Sequence, residues 1–327
     1  MANKLKKRIK LFLDRIKMRN EFMNDYRSYK RWNYNNPKVN SQVSHESRIL
    51  RQTHIIEKGL SLSNPRKGFG IPKIFDLFEM LDNYIENGYP TDSIPFQNAL
   101  FVVKKYIDVQ KKMGYTNQKL EDRAADFQKY EGEVFEAGIA HTTLDELQKQ
   151  INGSFPEFFN SRHSVRQFSD KEINVDDLEK AVQLAMKAPT ACNRQACRVY
   201  YYENKETNDK IGKLIAGNTG FADEVKHYLV VTADMSAFYD SFERNQIYIE
   251  TGFFSMALIE ALHYYGIGSC VLQNGEFKAK NKEFKRICGN ISESERITLF
   301  IAVGNYKDEF NYAVSKRKSV NDILIRS

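Results

Sequence analysis

Little in this chain belongs to an exported, membrane-spanning or dinucleotide-fold protein. Its four cysteines (192, 197, 270 and 288) form no C-x-x-C pair and no metal-ligand rhythm across 327 residues. That usage is ordinary for a reducing compartment, so the sequons at Asn152 and Asn290 are chance matches. No secretory signal is evident, because the apolar stretch at 11–16 is broken by Asp14 and Arg15. The longest apolar run, 247–271, is interrupted by Glu250, Glu260 and His263, and reads as a buried helix rather than a membrane span. No G-x-G-x-x-G or P-loop follows a β-prone run, which excludes Rossmann and kinase-like nucleotide sites. There is no internal repeat and no low-complexity tract. The expectation is a soluble, cytoplasmic protein.

The charge is unevenly placed. The formal net charge is +7, yet residues 1–40 alone carry twelve Lys/Arg against Asp14, Glu21 and Asp25, a balance of +9 that leaves −2 for the remainder. Within this arm Leu5, Ile9, Phe12, Leu13 and Ile16 recur at helical spacing, surrounded by Lys6, Lys7, Lys10, Arg15 and Lys17. Such a helix either lies on an anionic membrane surface or docks its apolar stripe on the protein body. Nucleic acid is not indicated, since no aromatic–basic interleaving accompanies the charge.

Three regions follow from composition: a basic amphipathic arm (1–45, ending in the polar stretch Asn33–Asn40), a mainly helical extension (46–140) and a mixed region (141–327). Gly/Pro punctuation at Asn64-Pro65, Gly68–Pro72 and Gly88–Pro95 divides the extension into helices. In the third region Asn174 caps a predicted helix with an apolar stripe of Leu178, Ala181, Val182 and Ala185, stopped by Pro189. Val199–Tyr202, Tyr228–Thr232 and Thr298–Val303 read as strands. The 245–265 helix is apolar on most faces, so it is expected to be central or at a subunit contact. In the extension, His54 and Glu57 share a helix face, but one such pair is a poor metal site, and a capping or ion-pair role is expected. No metal is predicted.

Two donor clusters stand out. Arg162-His163-Ser164-Val165-Arg166-Gln167-Phe168 packs cationic and hydroxyl donors into five residues, and Ala188-Pro189-Thr190-Ala191-Cys192-Asn193-Arg194-Gln195 ends a helix with amide side chains. Phosphate wants Arg and hydroxyl donors; the edge of a flat heteroaromatic ring wants amides. The order of these clusters, with Gly266-Ile267-Gly268-Ser269-Cys270 and Ala302-Val303-Gly304-Asn305-Tyr306 before Lys316-Arg317-Lys318, resembles the FMN-dependent nitroreductase family over roughly 145–327.

The resemblance implies an α+β fold, a central mixed or antiparallel sheet flanked by helices, here with an N-terminal helical extension. It further implies FMN, NADH or NADPH as electron donor, a small-molecule acceptor, a homodimer whose subunits share each site, and ping-pong electron transfer through flavin N5. By position, Arg162 and Ser164 match the phosphate ligands with His163 between them, and Arg166 lies toward the ribityl or pyrimidine side. Asn193 and Gln195 match the loop that meets the ring, and Leu272, Gln273 and Asn274 fall where backbone amides approach N5 and O4. Arg317 completes the phosphate site, with Lys316 as a second cation. No side chain is required as nucleophile or general acid. Ala196, Cys197 and Val271 depart from the family's Pro and Trp residues, which leaves the substrate open. Two other readings stay open: a flavin-dependent dehydrogenase or oxidase acting on a glycan or peptide precursor without a nicotinamide donor, and a flavin-less binding module. Gly59, Gly68 and Gly70 suit a close approach of the extension to another surface, so residues around His54, Glu57, Lys58 and Arg66 are expected to cover part of the flavin's open face.

Overall fold

The computed structural model describes residues 2–32, 36, 38–133, 136–238, 241–274 and 278–326. The polar stretch 33–40 lies partly outside them. The chain begins with α1 (Ala2–Trp32), whose apolar stripe does not dock: Leu5 (61%), Phe12 (62%) and Leu13 (57%) are exposed, as are Ile9 and Ile16. The docking expectation therefore fails. The helix meets the body through Asp25, which takes the Arg244 guanidinium at 2.7 and 2.9 Å.

Four helices then form one layer: α2 (Gln42–Leu60), α3 (Ile71–Glu86), α4 (Ile94–Lys112) and α5 (Gln118–Ala125). Each starts where local chemistry allows. Ser41 and Ser44 form a capping box at α2, Pro72 and Pro95 sit in the first turns of α3 and α4, and Asn117 caps α5. Ile49, Ile56 and Leu60 of α2 pack with Ile74, Leu77 and Leu81 of α3 and with Phe96 and Val102 of α4 in a core of their own.

The remainder is α+β. A four-stranded antiparallel sheet has the order β2 (Cys197–Tyr201), β3 (His227–Asp234), β5 (Glu295–Asn305), β4 (Ile267–Gln273). A separate pair joins β1 (Ile139–Thr143) to β6 (Glu309–Ala313). The three expected strands are present, each extended at one or both ends, while β1, β4 and β6 were not legible. Helices cover both faces. On one, Leu229, Val231, Ile301 and Val303 pack against α8 (Val175–Ala185) and α10 (Gln246–Tyr264). On the other, Tyr228, Val230, Phe300 and Ala302 meet α6 (Leu144–Ile151), α9 (Lys205–Leu214) and α11 (Lys278–Cys288). The odd/even split is the strand period of two, and double-sided burial explains why β3 is apolar almost throughout. Short α7 (Phe155–Ser161) leads into the first donor cluster, and α12 (Val320–Ile323) lies near the C-terminus.

Because the apolar stripe of α1 faces water and its ion pairs lie at the surface, each worth about 0.2–1 kcal/mol, deletion of residues 1–40 is expected to lower the melting temperature by no more than about 3 °C. A fall of 8 °C or more in a calorimetric scan would mean that α1 is packed.

Candidate functional site

The first donor cluster is positioned by an edge. β4 is the last strand of its sheet, and the chain after α7 lies along its outer side: Val165 N–H donates to Ser269 O (2.9 Å), and Ser164 and Ser269 form a parallel bridge. Further along, Phe168 bridges Tyr306 and Ser169 N–H donates to Asn305 O at 2.9 Å. Alternation in this extended stretch buries Val165 completely and sets Arg162, Ser164 and Arg166 on a common side.

A buried relay fixes the entry to that stretch. Ser161 Oγ donates to Phe158 O (2.8 Å), so it accepts from His263 Nε2 (2.7 Å), and the Tyr306 hydroxyl donates to His263 Nδ1 (2.7 Å). His263 has no exposed surface, and burial, aided by the Arg162 and His163 charges, pushes it down to about 4. Next in line, Arg162 Nε meets Glu260 Oε1 of α10 at 3.0 Å; burial raises the Glu260 carboxyl while Arg162 opposes that shift. His163 stacks on Tyr312 with ring centroids 3.7 Å apart, and is also pushed to about 4, by burial first and then by Arg162 and Arg317.

Charge accumulates around Ser164. Arg166 is 5% exposed; one guanidinium nitrogen donates to Ser164 O at 3.3 Å, and its Nε has no partner among the described residues. The Cys270 thiol beside them feels the charges of Arg166, Lys58 and Arg162, although burial dominates and raises it. A buried unpaired guanidinium N–H costs about 1–3 kcal/mol. The structure thus brings together Arg162, His163, Ser164, Arg166 and, through its field at His163, Arg317. Arg317 is exposed and donates to Ser315 O at 2.5 Å; Lys316 is exposed beside it.

The second cluster is elsewhere. Asn193 and Gln195 are exposed and bond each other (Gln195 Nε2 to Asn193 Oδ1, 3.1 Å) in a loop held by Glu250, whose Oε1 takes Ala191 N–H at 2.8 Å. Three non-glycine residues there, Cys192, Asn193 and Gln195, have φ of 52°, 56° and 51°, a strain usually retained where a loop has work to do. Glu250 and Glu260 are ten residues apart on α10, about 15 Å of axis. The loop feeds β2, the opposite edge from β4, three strand spacings or about 14 Å away. The two clusters of one chain therefore stand at opposite edges of the sheet.

Leu272 is buried and Gln273 exposed at the end of β4. The Asn274 side chain is committed to Ile297 O (2.8 Å) and Asn281 (3.0 Å), a structural tie rather than a ligand-facing amide. A cleft of about 870 Å³ between residues 168–171 and 307–309 opens beyond the motif strand and is not lined by Arg162, Ser164 or Arg166. His54 and Glu57 stand 3.8 Å apart, and among the described residues no group of three or more His, Cys, Asp or Glu gathers as a metal site. Sequence reasoning expected Lys58 over the flavin's open face but did not pair it with Arg166, and it missed the roles of Glu250, Glu260 and His263. The last three were visible only as polar breaks in an apolar helix.

Residues 160–234, which include both donor clusters, match the model of the Nitroreductase family. No protein of curated function matches. Solved structures similar to it include a nitroreductase family protein from Streptococcus pneumoniae TIGR4 (19% identity, 53% of this chain and 100% of that one, TM-score 0.45). Others are a nitroreductase family protein from Clostridium novyi NT (22%, 48% and 87%, 0.43) and an FMN-dependent nitroreductase from Clostridium difficile R20291 (20%, 50% and 91%, 0.39). No described helix is long and apolar enough to cross a membrane.

A neutral native His263 has a pH signature. The unfolded chain takes up a proton below about 6.5, whereas the native imidazole does so near 4. Native stability is therefore expected to fall as pH drops from 6.5 to 4, by on the order of 2–3 kcal/mol for this group. Urea titrations of wild type and His263→Gln isolate it, because the carboxylates common to both cancel. Parallel pH profiles would show that His263 does not titrate this way.

Proposed function

We propose that the chain is an FMN-dependent NAD(P)H oxidoreductase that works as a homodimer on a small, electron-poor acceptor. One observation carries this: inside the family-matched segment, Arg166 is buried with an unpartnered Nε next to exposed Ser164 and to Arg162. That donor set fits a phosphate, which each charge-assisted contact holds by about 1.5–3 kcal/mol. Arg162 and Ser164 would hold the FMN phosphate, with His163, Arg317 and Lys316 at the same end. Arg166 would reach it from the ribityl or pyrimidine side, and Leu272, Gln273 and Asn274 would offer backbone donors along the edge of β4. When bound, FMN supplies the redox chemistry, in ping-pong fashion between a nicotinamide and the acceptor. The protein's share is to bind, orient and exclude water; Glu260 holds the Arg162 guanidinium in place, and neutral His263 keeps Ser161 and hence the motif strand fixed.

The separation of the two clusters supports the dimer. At opposite edges of the sheet, about 14 Å across, Asn193 and Gln195 would serve the site of the other copy. The outer face of α10, with Ile249, Phe253 and Met256 exposed by 46%, 49% and 39%, is the surface such a dimer would bury. Phe253→Asp is expected to give a monomer in analytical ultracentrifugation with less bound FMN; a dimeric variant with full flavin content would locate the contact elsewhere. The exposed apolar stripe of α1 within its basic surround favours, in addition, peripheral contact with anionic lipid. A cytoplasmic setting and the absence of a nucleic-acid partner complete the reading.

The purified protein is expected to be yellow, with about one FMN per subunit, bleached by NADH or NADPH. Arg162→Ala is expected to weaken FMN ten- to a hundredfold, or about 1.5–3 kcal/mol, measured by fluorescence quenching on the apoprotein. Colourless protein that does not quench added FMN would favour the binding module. Flavin that no nicotinamide reduces would favour the dehydrogenase or oxidase.

A further inference from the structure

The helical extension sends one side chain into the cationic cluster. Lys58, in the last turn of α2, is half-buried; its Nζ donates to Gly217 O and lies 5.5 Å from the Phe221 ring centroid. Burial first, and the like charge of Arg166 second, hold the ammonium below the usual lysine range. The same Cys270 thiol senses Arg166, Lys58 and Arg162 and is hydrogen-bonded by Ser164. The register is fixed by a buried contact one turn on: Gln167, adjacent to Arg166, donates Nε2–H to Ser61 O at 2.6 Å. Ser63 and Lys307 both meet Glu224, at 2.5 and 2.9 Å, and fasten the following turn to the α+β unit.

The charges do not balance. Arg162 is matched by Glu260, but among the described residues neither Lys58 nor Arg166 has a carboxylate within ion-pair distance. Glu57 precedes Lys58, but consecutive helical residues do not face each other, and its carboxylate lies toward His54 at 3.8 Å. Two partly buried like charges held together, one with an orphaned N–H, are what an anion would compensate.

We propose that Lys58 is a further cationic ligand of the Arg162–Ser164–Arg166 anion site, so that the helical extension forms one wall of that site. The ligand class is a phosphate monoester, which on the reading above is the phosphate of FMN; the inference rests on that reading only for the ligand's identity. A chain lacking α2 would have an incomplete site even with every residue of the family-matched segment present.

The test uses the full chain as wild type, Lys58→Met and Lys58→Arg, stripped of flavin. Two quantities are read: the rise in melting temperature produced by inorganic phosphate, and the affinity for FMN by fluorescence quenching. The expected result is that Lys58→Met loses most of the phosphate-induced rise and binds FMN at least tenfold more weakly, while Lys58→Arg restores both. If Lys58 merely docks α2 through Gly217, the methionine variant melts lower by the same amount with and without phosphate and keeps its FMN affinity, which overturns the proposal. A wild type that phosphate does not stabilise overturns it as well. If phosphate stabilises wild type but not Lys58→Met, and FMN binds to neither, the anion site stands and the flavin reading fails.

Discussion

The outer edge of β4 is the constraint on which the rest depends. An edge strand presents unpaired N–H and C=O groups, and here the motif strand takes part of them up through Ser164, Val165 and Ser269. That pairing fixes which residues turn inward. Val165 enters the core, and the charged residues on either side of it are left to gather round Cys270. A one-residue slip would exchange those roles, turning valine out of the core. The relay Tyr306–His263–Ser161 guards the register from the other end, since it ties the residue before Arg162 to a side chain just past β5 and another on α10.

Around that edge the protein assembles cations faster than anions. Burying a guanidinium or ammonium without a counter-charge is unfavourable, and among the described residues the fold accepts this at Arg166 and Lys58 while compensating carefully elsewhere. Arg194 has Glu243, Arg198 has Glu295, and Lys318 has Glu46 at 2.5 Å. The contrast separates the site from the ordinary ion pairs of the surface. The strained loop at 192–195 is a second local cost, and Glu250, with only one of its oxygens partnered, anchors it.

Two hydrophobic cores meet across this region. The helical core of α2–α5 is closed by its own apolar residues, and its junction with the α+β unit is mainly polar, through Ser61, Ser63 and Lys318, with Leu62 as an apolar contact between them. A polar junction is specific about geometry and modest in energy. It suits an element whose placement matters for a site more than for stability.

The sequence by itself determined the class of fold, three of the strands, the capped helix after Asn174 and the identity of the two donor clusters, because each is written in local period, capping chemistry or short motif. Arg162, Ser164 and Arg166 stand two apart, and extended backbone makes that spacing one face without help from elsewhere. The missed strands β1 and β6 are short and pair across more than 160 residues, so no local pattern marks them, while β4 was hidden in the apolar run 247–271, which the sequence alone reads as one helix but which breaks after Tyr264. Nor could spacing reveal that Glu260 takes Arg162, that Asn274 is spent on the backbone of β5, or that the Asn193 loop stands at the far edge of the sheet from Ser164. Lys58 is the sharpest case. In sequence it is one cation in a polar patch about a hundred residues from Arg166; only the docking of α2 on the α+β unit sets its charge beside that guanidinium, because electrostatic neighbours are decided by distance in space and not along the chain.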